Sequence, residues 1–503
     1  MPIEDSELLN NTVDPWGLLP GFEFLQDVPR KSSSELTDTL MGIGFETLDR
    51  DTFRPQDIMG LVGRSGVKMA RCQSGWWKCE RTPGVYDFAW LDEVVDGLAA
   101  CGVRAWLSLS FGHPNYTPNP VFDEAIAAAA SHGEKPRSGF IRGYVGECPL
   151  YHGEKGMTGW KNYVQALARH FKGRVSEWEI WNEPDSFDTF WRHKGRAVYD
   201  DLGIEERTSR CAADYVEFVH ITRDYLREVI PDARIVSVVA NPSTEYVRHL
   251  GLNNLADYAD VFSYHFYGII LNDFFQDQFI QFARECLGQD IEFWMGESGH
   301  ATGKSKITNV RPSQYAQAKH IARNAMHDLK NGARLSSVFT AIDFKEYYED
   351  GSDQYYGVID GRSLKPKLGY YTIQALAWLT DRARPAKDIC VSFGPVDGAA
   401  ISSRAPWNIT TATFRKKGIP AVAVWQSDHI SMDKPPVIGE LRVAHGPAAE
   451  LAKPIVIDPI RGSVHKLANA KHDSTLWSKG SFTAALPVPD YPVIVTDQSY
   501  LDC

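Results

Sequence analysis

The sequence predicts an α/β chain: a (β/α)8 TIM barrel with an additional C-terminal β-sandwich domain. Three observations carry that expectation. Short apolar strands alternate with amphipathic helices from about residue 38 to 382. Two of those strands run directly into a glutamate. Beyond Trp378 the helical period stops, and strand-like pieces separated by Pro and Gly take over.

The 503 residues suit two to three domains. Eight strands are expected at Met41–Leu48, Val67–Arg71, Ala105–Ser110, Val175–Trp181, Ile235–Val239, Val261–Tyr267, Glu292–Met295 and Ser337–Ile342. Between most of them lie helical patterns such as LDEVVDGLAACG, WKNYVQALARHF, DYVEFVHITRDYLREV, DQFIQFARECLG and QYAQAKHIARNAMHDLKNG. The last has apolar residues at three and four spacing and stops at Gly332. Eight units over roughly 340 residues fit a closed barrel better than an open doubly wound sheet. An open sheet would carry a Gly-rich first turn, and no GxGxxG follows the first strand.

From about Arg384 the pieces DICVSF, AAISSRA, TTATFRK, PAVAVWQS, IGELRVAHG, PIVIDPIRG and PVIVTDQ read as strands of the sandwich. The expected division is an N-terminal segment at 1–37 packing on barrel or sandwich, a catalytic barrel at 38–382 and a sandwich at 383–503.

Composition narrows the function. Net charge is −11, from 53 basic and 64 acidic residues, with no Lys/Arg stripe, so neither nucleic acid nor an anionic membrane is an expected partner. No apolar run approaches the ~18 residues of a membrane span. The N-terminal MPIEDSELLNNTVDPWG lacks a secretory layout, so the expected location is cytoplasmic, or secreted if a leader has been removed. Eight scattered cysteines include no CxxC and no zinc set, which favours free thiols. The 12% aromatic share exceeds ordinary core needs and suits sugar stacking, although an aromatic core would give the same figure.

The chemistry concentrates at two strand ends. In EWEIWNEPD (177–185), a period of two puts Glu179, Trp181 and Glu183 on one face, with Asn182 at the end and Pro184 stopping the ladder. In IEFWMGESGH the strand runs into Gly296 and Glu297. The two glutamates are 297 − 183 = 114 residues apart, room for three barrel units between them. As strands four and seven they would face each other across the barrel mouth, where catalytic groups of such barrels sit. Opposed carboxyls there are what glycosidic cleavage requires: one protonated, to donate to the leaving oxygen, and one ionised, to attack the anomeric carbon. The aromatic surroundings are expected to keep Glu183 protonated.

WNEP on a strand, followed over a hundred residues later by a strand ending in Gly-Glu, resembles the clan A retaining glycoside hydrolases. The string EIWNEPD, on a barrel with an appended sandwich, is most similar to family 39, the β-xylosidase and α-L-iduronidase group. The resemblance implies Glu183 as acid/base, Glu297 as nucleophile and Asn182 on the sugar 2-hydroxyl, with no cofactor and no metal. It also implies site roles for His265 and Tyr267 in YHFYG, the tyrosine hydroxyl holding the nucleophile. Arg71 would pair with Glu297, or with Glu179, read as the buried partner of a barrel arginine. His113 is a candidate for sugar hydroxyls and Trp76, with Trp77, for stacking. Glu177 and Asp185 read as solvated or loop-anchoring. A departure stands at strand eight, VFTAIDFKEYYED, which lacks the clan's tryptophan; Phe344 or Tyr347 would replace it, or Asp343 and Lys345 would make polar contacts.

The expected activity is therefore a retaining glycosidase acting on terminal bonds of an oligosaccharide or glycoside, β-xylosidase-like. Alternatives are a non-catalytic carbohydrate-binding barrel and a clan relative acting on an arabinoside, glucoside, galactoside or uronide. Arg137, Arg142 or Lys345 could clamp a uronate. A metal-dependent hydrolase fits poorly, since neither HxH nor HExxH occurs. The insertion Asn115–Thr158 after strand three is expected to wall the site.

Overall fold

The structure is a computed structural model that describes residues 12–186, 190, 201–240, 243–267, 273–304, 312–348, 350–396, 408–427, 430, 434–444, 451–473 and 481–503. A first strand, β1 (Phe22–Asp27), precedes the barrel. Eight parallel strands then close on themselves: β2 (Met41–Gly44), β3 (Met69–Gln73), β4 (Arg104–Leu109), β5 (Glu177–Ile180), β6 (Arg234–Val239), β7 (Val261–Phe266), β8 (Glu292–Ser298) and β9 (Leu335–Val338). All eight expected strands are present and in the expected order. The (β/α)8 barrel is therefore the observed architecture.

The barrel interior is layered. At its lower end Met69, Trp106, Val236, Val261, Trp294 and Leu335 form a separate apolar plug, with Trp106 and Trp294 ring centroids 5.1 Å apart. Two residues above Met69 on the same face, Arg71 enters the interior. The site therefore rests on a packed floor at the C-terminal ends of the strands.

Most strand ends shift from the expected bounds, the last barrel strand ending at Val338 rather than Ile342, and three shifts bear on the site. β2 stops at Gly44 rather than Leu48, because Thr47 takes a left-handed backbone (φ 64°) and Leu48–Arg50 turns as a 3-10 helix. β5 stops at Ile180, because Trp181 is left-handed too (φ 69°). That turn takes Trp181 off the face of Glu179 and buries it near Phe111, Trp160 and Phe218. β8 runs on to Ser298 through a bulge: Tyr264 faces Met295 but His265 faces Glu297, leaving Gly296 as the extra residue. Strict alternation from Trp294 would turn Glu297 outward, and the bulge reverses that.

The expected sandwich appears as two antiparallel sheets. One has seven strands, ordered β1-β16-β15-β19-β13-β12-β10, and the other four, ordered β11-β14-β18-β17. Their members are β10 (Arg384–Pro385), β11 (Cys390–Gly394), β12 (Ile409–Lys416), β13 (Ile419–Gln426), β14 (Val437–Ala444), β15 (Pro454–Asp458), β16 (Ser463–Leu467), β17 (Lys471–Asp473), β18 (Ser481–Val488) and β19 (Val493–Asp497). The piece AAISSRA lies outside the described residues. β1 pairs with β16, so the N-terminal segment contributes an edge strand to the larger sheet.

That sheet packs on the barrel helix Gln314–Lys330, whose residues from Tyr315 to Leu329 are all buried. Its polar positions are paired across the junction: Lys319 Nζ donates to Asp490 Oδ1 at 2.6 Å and Arg323 to the Ser427 carbonyl at 2.8 Å. Among the described residues no helix is long and apolar enough to cross a membrane. All eight cysteines are free.

The bulge sets a test of the fold. A Cβ on Gly296 would lie 2.0 Å from Ser263 Oγ. Gly296→Ala is expected to lower unfolding free energy by about 1–3 kcal/mol in urea titration. An unchanged midpoint would contradict the assigned bulge.

Candidate active site

The site is organised by Arg71 of β3, which is wholly buried. Its Nε donates to both Glu179 oxygens at 3.1 Å, and its Nη2 also reaches Glu179 Oε1. Nη2 donates to Asn182 Oδ1 at 2.7 Å, and Nη1 donates to Glu297 Oε2 at 2.6 Å. Nη1 also lies 3.0 Å from Glu46 Oε2. Burial works against the arginine's charge, but Glu179, Glu46 and Glu297 together raise its pKa well above the ordinary value. The expected pairing with Glu179 and that with Glu297 both occur.

Glu297 is further held by Tyr267, whose hydroxyl donates to Oε1. That is the contact the family resemblance implied. His265 is fully buried, with Nδ1 2.9 Å from Glu183 Oε1 and 3.5 Å from Glu297 Oε2. Burial lowers its pKa, and the nearby Arg71 adds to that, against the pull of Glu297. It spans the two carboxyls.

Glu183 reaches the cleft through a left-handed backbone (φ 49°), not through strand alternation. Burial pushes its carboxyl up to about 7, with the Glu179 charge adding to the rise and Arg71 opposing it. An oxygen of Glu183, one of Glu297 and a ring nitrogen of His265 all lie within 4.8 Å of one another. The neighbouring Asp185 anchors the loop by accepting from the Ala240 N–H at 2.5 Å, as expected. Glu177 is buried and lies 3.7 Å from Arg234, so it is not solvated.

The two glutamates open onto a cleft of about 320 Å³. Asn182 and Tyr267 line it with them. Phe140 and Val145, from the insertion after the third barrel strand, form one wall, and Phe339, Tyr347, Tyr348 and Tyr356 form another. The expected wall from the insertion is thus present, and Tyr347, one of the residues offered in place of a tryptophan, lines the cleft.

Three expected sugar contacts lie elsewhere. His113 is buried, its Nε2 bonded to the Glu80 carbonyl at 2.7 Å and its Nδ1 accepting from the Asn115 N–H at 3.1 Å, which uses both ring nitrogens. Trp76 is wholly buried, stacked on Tyr116 and Tyr163, with its indole N–H on Glu80 Oε2 at 2.6 Å. Phe344 is buried against Phe53, Phe339 and Tyr347 behind the cleft wall. Trp77 carries Arg81 over its ring. Asp343 is tied to Lys367 at 2.7 Å. Arg137, Arg142 and Lys345 line a separate cavity of about 810 Å³.

Sequence reading missed Glu46, Arg50 and Gln73, which line the cleft beside Glu297. The available signal was the rule that found Glu183: charged residues where a barrel strand exits. Extending the first strand to Leu48 hid it.

Comparison with known proteins agrees with this geometry. The family model of glycoside hydrolase family 42, described as β-galactosidase, matches residues 45–197. No curated protein sequence gives a match. A family 39 β-xylosidase from Caulobacter crescentus superposes with a TM-score of 0.51 at 13% identity, over 94% of this chain and 98% of that one. A β-galactosidase from Marinomonas ef1 gives 0.47 at 14% identity, over 67% of this chain and 59% of that one. The chain thus spans only 59% of that enzyme's length, and 58% of a β-galactosidase from Halorubrum lacusprofundi. The barrel fold, and a family match over residues 45–197, make the chain similar to the clan A glycoside hydrolases. The barrel carries its two strand-end glutamates at the exits of the fourth and seventh barrel strands.

If the geometry around Glu183 is right, its side-chain carboxyl titrates near pH 7 in carbon-13 NMR of glutamate-labelled protein, with Glu183→Gln assigning the resonance. Titration with the surface carboxylates would contradict it.

Proposed function

We propose that the chain hydrolyses terminal glycosidic bonds with retention of anomeric configuration, on a β-xyloside-like substrate. The observation that carries the reading is the placing of two carboxyls within reach of one anomeric centre, in opposite electrostatic settings. Oxygens within 4.8 Å fit the ~5–5.5 Å carboxyl spacing of retaining glycosidases and leave no room for the attacking water that inversion at ~6.5–9.5 Å requires.

Glu297, hydrogen-bonded by Arg71 and Tyr267, serves as the nucleophile. It attacks the anomeric carbon while Glu183 gives its proton to the departing oxygen, breaking the glycosidic bond and leaving a glycosyl ester on Glu297. Glu183, now a carboxylate, takes a proton from water. That water attacks the same carbon and frees Glu297. A cleft of about 320 Å³ closed by aromatic walls suits a single terminal sugar. The likeness in barrel and appended sheets to a β-xylosidase supports a xyloside. The family match to β-galactosidases favours a β-galactoside as second reading.

A panel of aryl glycosides separates the two sugars, the xyloside being expected to turn over fastest. NMR of the first-formed product is expected to show the substrate's configuration; inverted product would end the proposal. Because Glu183 must be protonated in the free enzyme, kcat/KM is expected to fall about tenfold per pH unit above roughly 7. A profile flat to pH 9 would remove Glu183 as the acid.

A further inference from the structure

Beside the nucleophile stands a wall that the two-glutamate chemistry does not use. Glu46 follows β2 and is 2% exposed; its Oε2 faces Arg71, while Oε1 has no hydrogen-bond partner. Arg50 is 4% exposed. Its guanidinium donates to Tyr347 Oη and, at 3.0 Å, to Gln73 Oε1, while its Nε has no hydrogen-bond partner and lies 3.7 Å from Asp49 Oδ1. Glu46, Arg50 and Gln73 all line the cleft. Buried polar atoms left without partners are costly, and in folded proteins they are few. Here a buried acceptor and a buried donor without partners belong to two residues that line the cleft.

We propose that Glu46 hydrogen-bonds a hydroxyl of the sugar held in the cleft, with Arg50 taking the adjacent hydroxyl, so that the pair reads a vicinal diol. The inference rests on the glycosidase reading and adds to it a substrate class: sugars bearing two neighbouring free hydroxyls on the edge facing Glu46 and Arg50. Analogues deoxygenated or O-methylated there are rejected. Burial, with the charges of Glu297 and Glu179 adding and Arg71 opposing, pushes Glu46 up to about 8. The raised pKa favours the neutral acid, which can both donate to and accept from a hydroxyl.

The test is a matrix of enzymes and substrates. Wild type, Glu46→Ala, Glu46→Leu and Arg50→Lys are assayed on the best aryl glycoside of the panel and on each of its monodeoxy analogues. Wild type is expected to lose about 10–100-fold in kcat/KM on the analogue lacking the Glu46-facing hydroxyl. In Glu46→Ala that one penalty is expected to shrink to under about threefold while the others persist. Arg50→Lys should shrink the penalty at the adjacent position.

A role exerted only through Arg71 would slow parent and analogues by one common factor, leaving every penalty unchanged, and that result overturns the inference. Should Glu46→Ala fail to fold, the larger apolar Glu46→Leu, which also removes the hydrogen-bonding group, is judged by the same criterion. A wild-type enzyme that cleaves no glycoside defeats the glycosidase reading and this inference together. An active one with unchanged penalties defeats this inference alone.

Discussion

One guanidinium, that of Arg71, fixes the relative positions of the groups at the barrel mouth. A cation sealed from water is tolerable only if its donors are saturated by charge and by hydrogen bonds, and removing one partner typically costs about 3–5 kcal/mol. Arg71 meets that condition by contacting Glu46, Glu179, Asn182 and Glu297, which come from the exits of three different barrel strands. The contacts therefore run in both directions. The carboxylates make the buried charge possible, and the charge sets where each carboxylate lies. Glu179 acts as a structural counter-ion from below, which leaves Glu297 free to present an oxygen upward.

From that constraint the two catalytic candidates separate. Glu297 accepts from two donors, Arg71 and Tyr267, which fix its orientation. Glu183 sits in a different setting. Its left-handed backbone lifts it to the cleft rim, where burial and the charge of Glu179 favour the protonated form. The two glutamates thus sit in different surroundings, and His265 lies between them.

The barrel was legible in the sequence because eight apolar strand segments alternated with helices, and the glutamates because each followed a strand. What was not legible depended on backbone conformation and on contacts distant in sequence. Nothing local to EWEIWNEPD announces that Trp181 and Glu183 adopt positive φ, so alternation put Trp181 on the wrong face. Gly296 looked like one half of a common pair rather than the bulge that turns Glu297 inward. His113 and Trp76 carried the residue types of a sugar site, but Glu80 and Tyr116 claim them for a buried knot beneath the loops. The outer face of Gln314–Lys330, rich in Lys, His and Arg, reads as solvated until the seven-stranded sheet is laid on it. β1 could not be assigned to that sheet before its partner β16, over four hundred residues away, was in place.

The central claim is that Glu297 makes a covalent bond to the sugar. Incubation with an activated 2-deoxy-2-fluoro derivative of the preferred glycoside, followed by intact mass and peptide mapping, tests it directly. One fluorosugar attached to the peptide that contains Glu297 is the predicted result. Attachment to Glu183 or to another residue would contradict it, as would steady turnover with no adduct at any time.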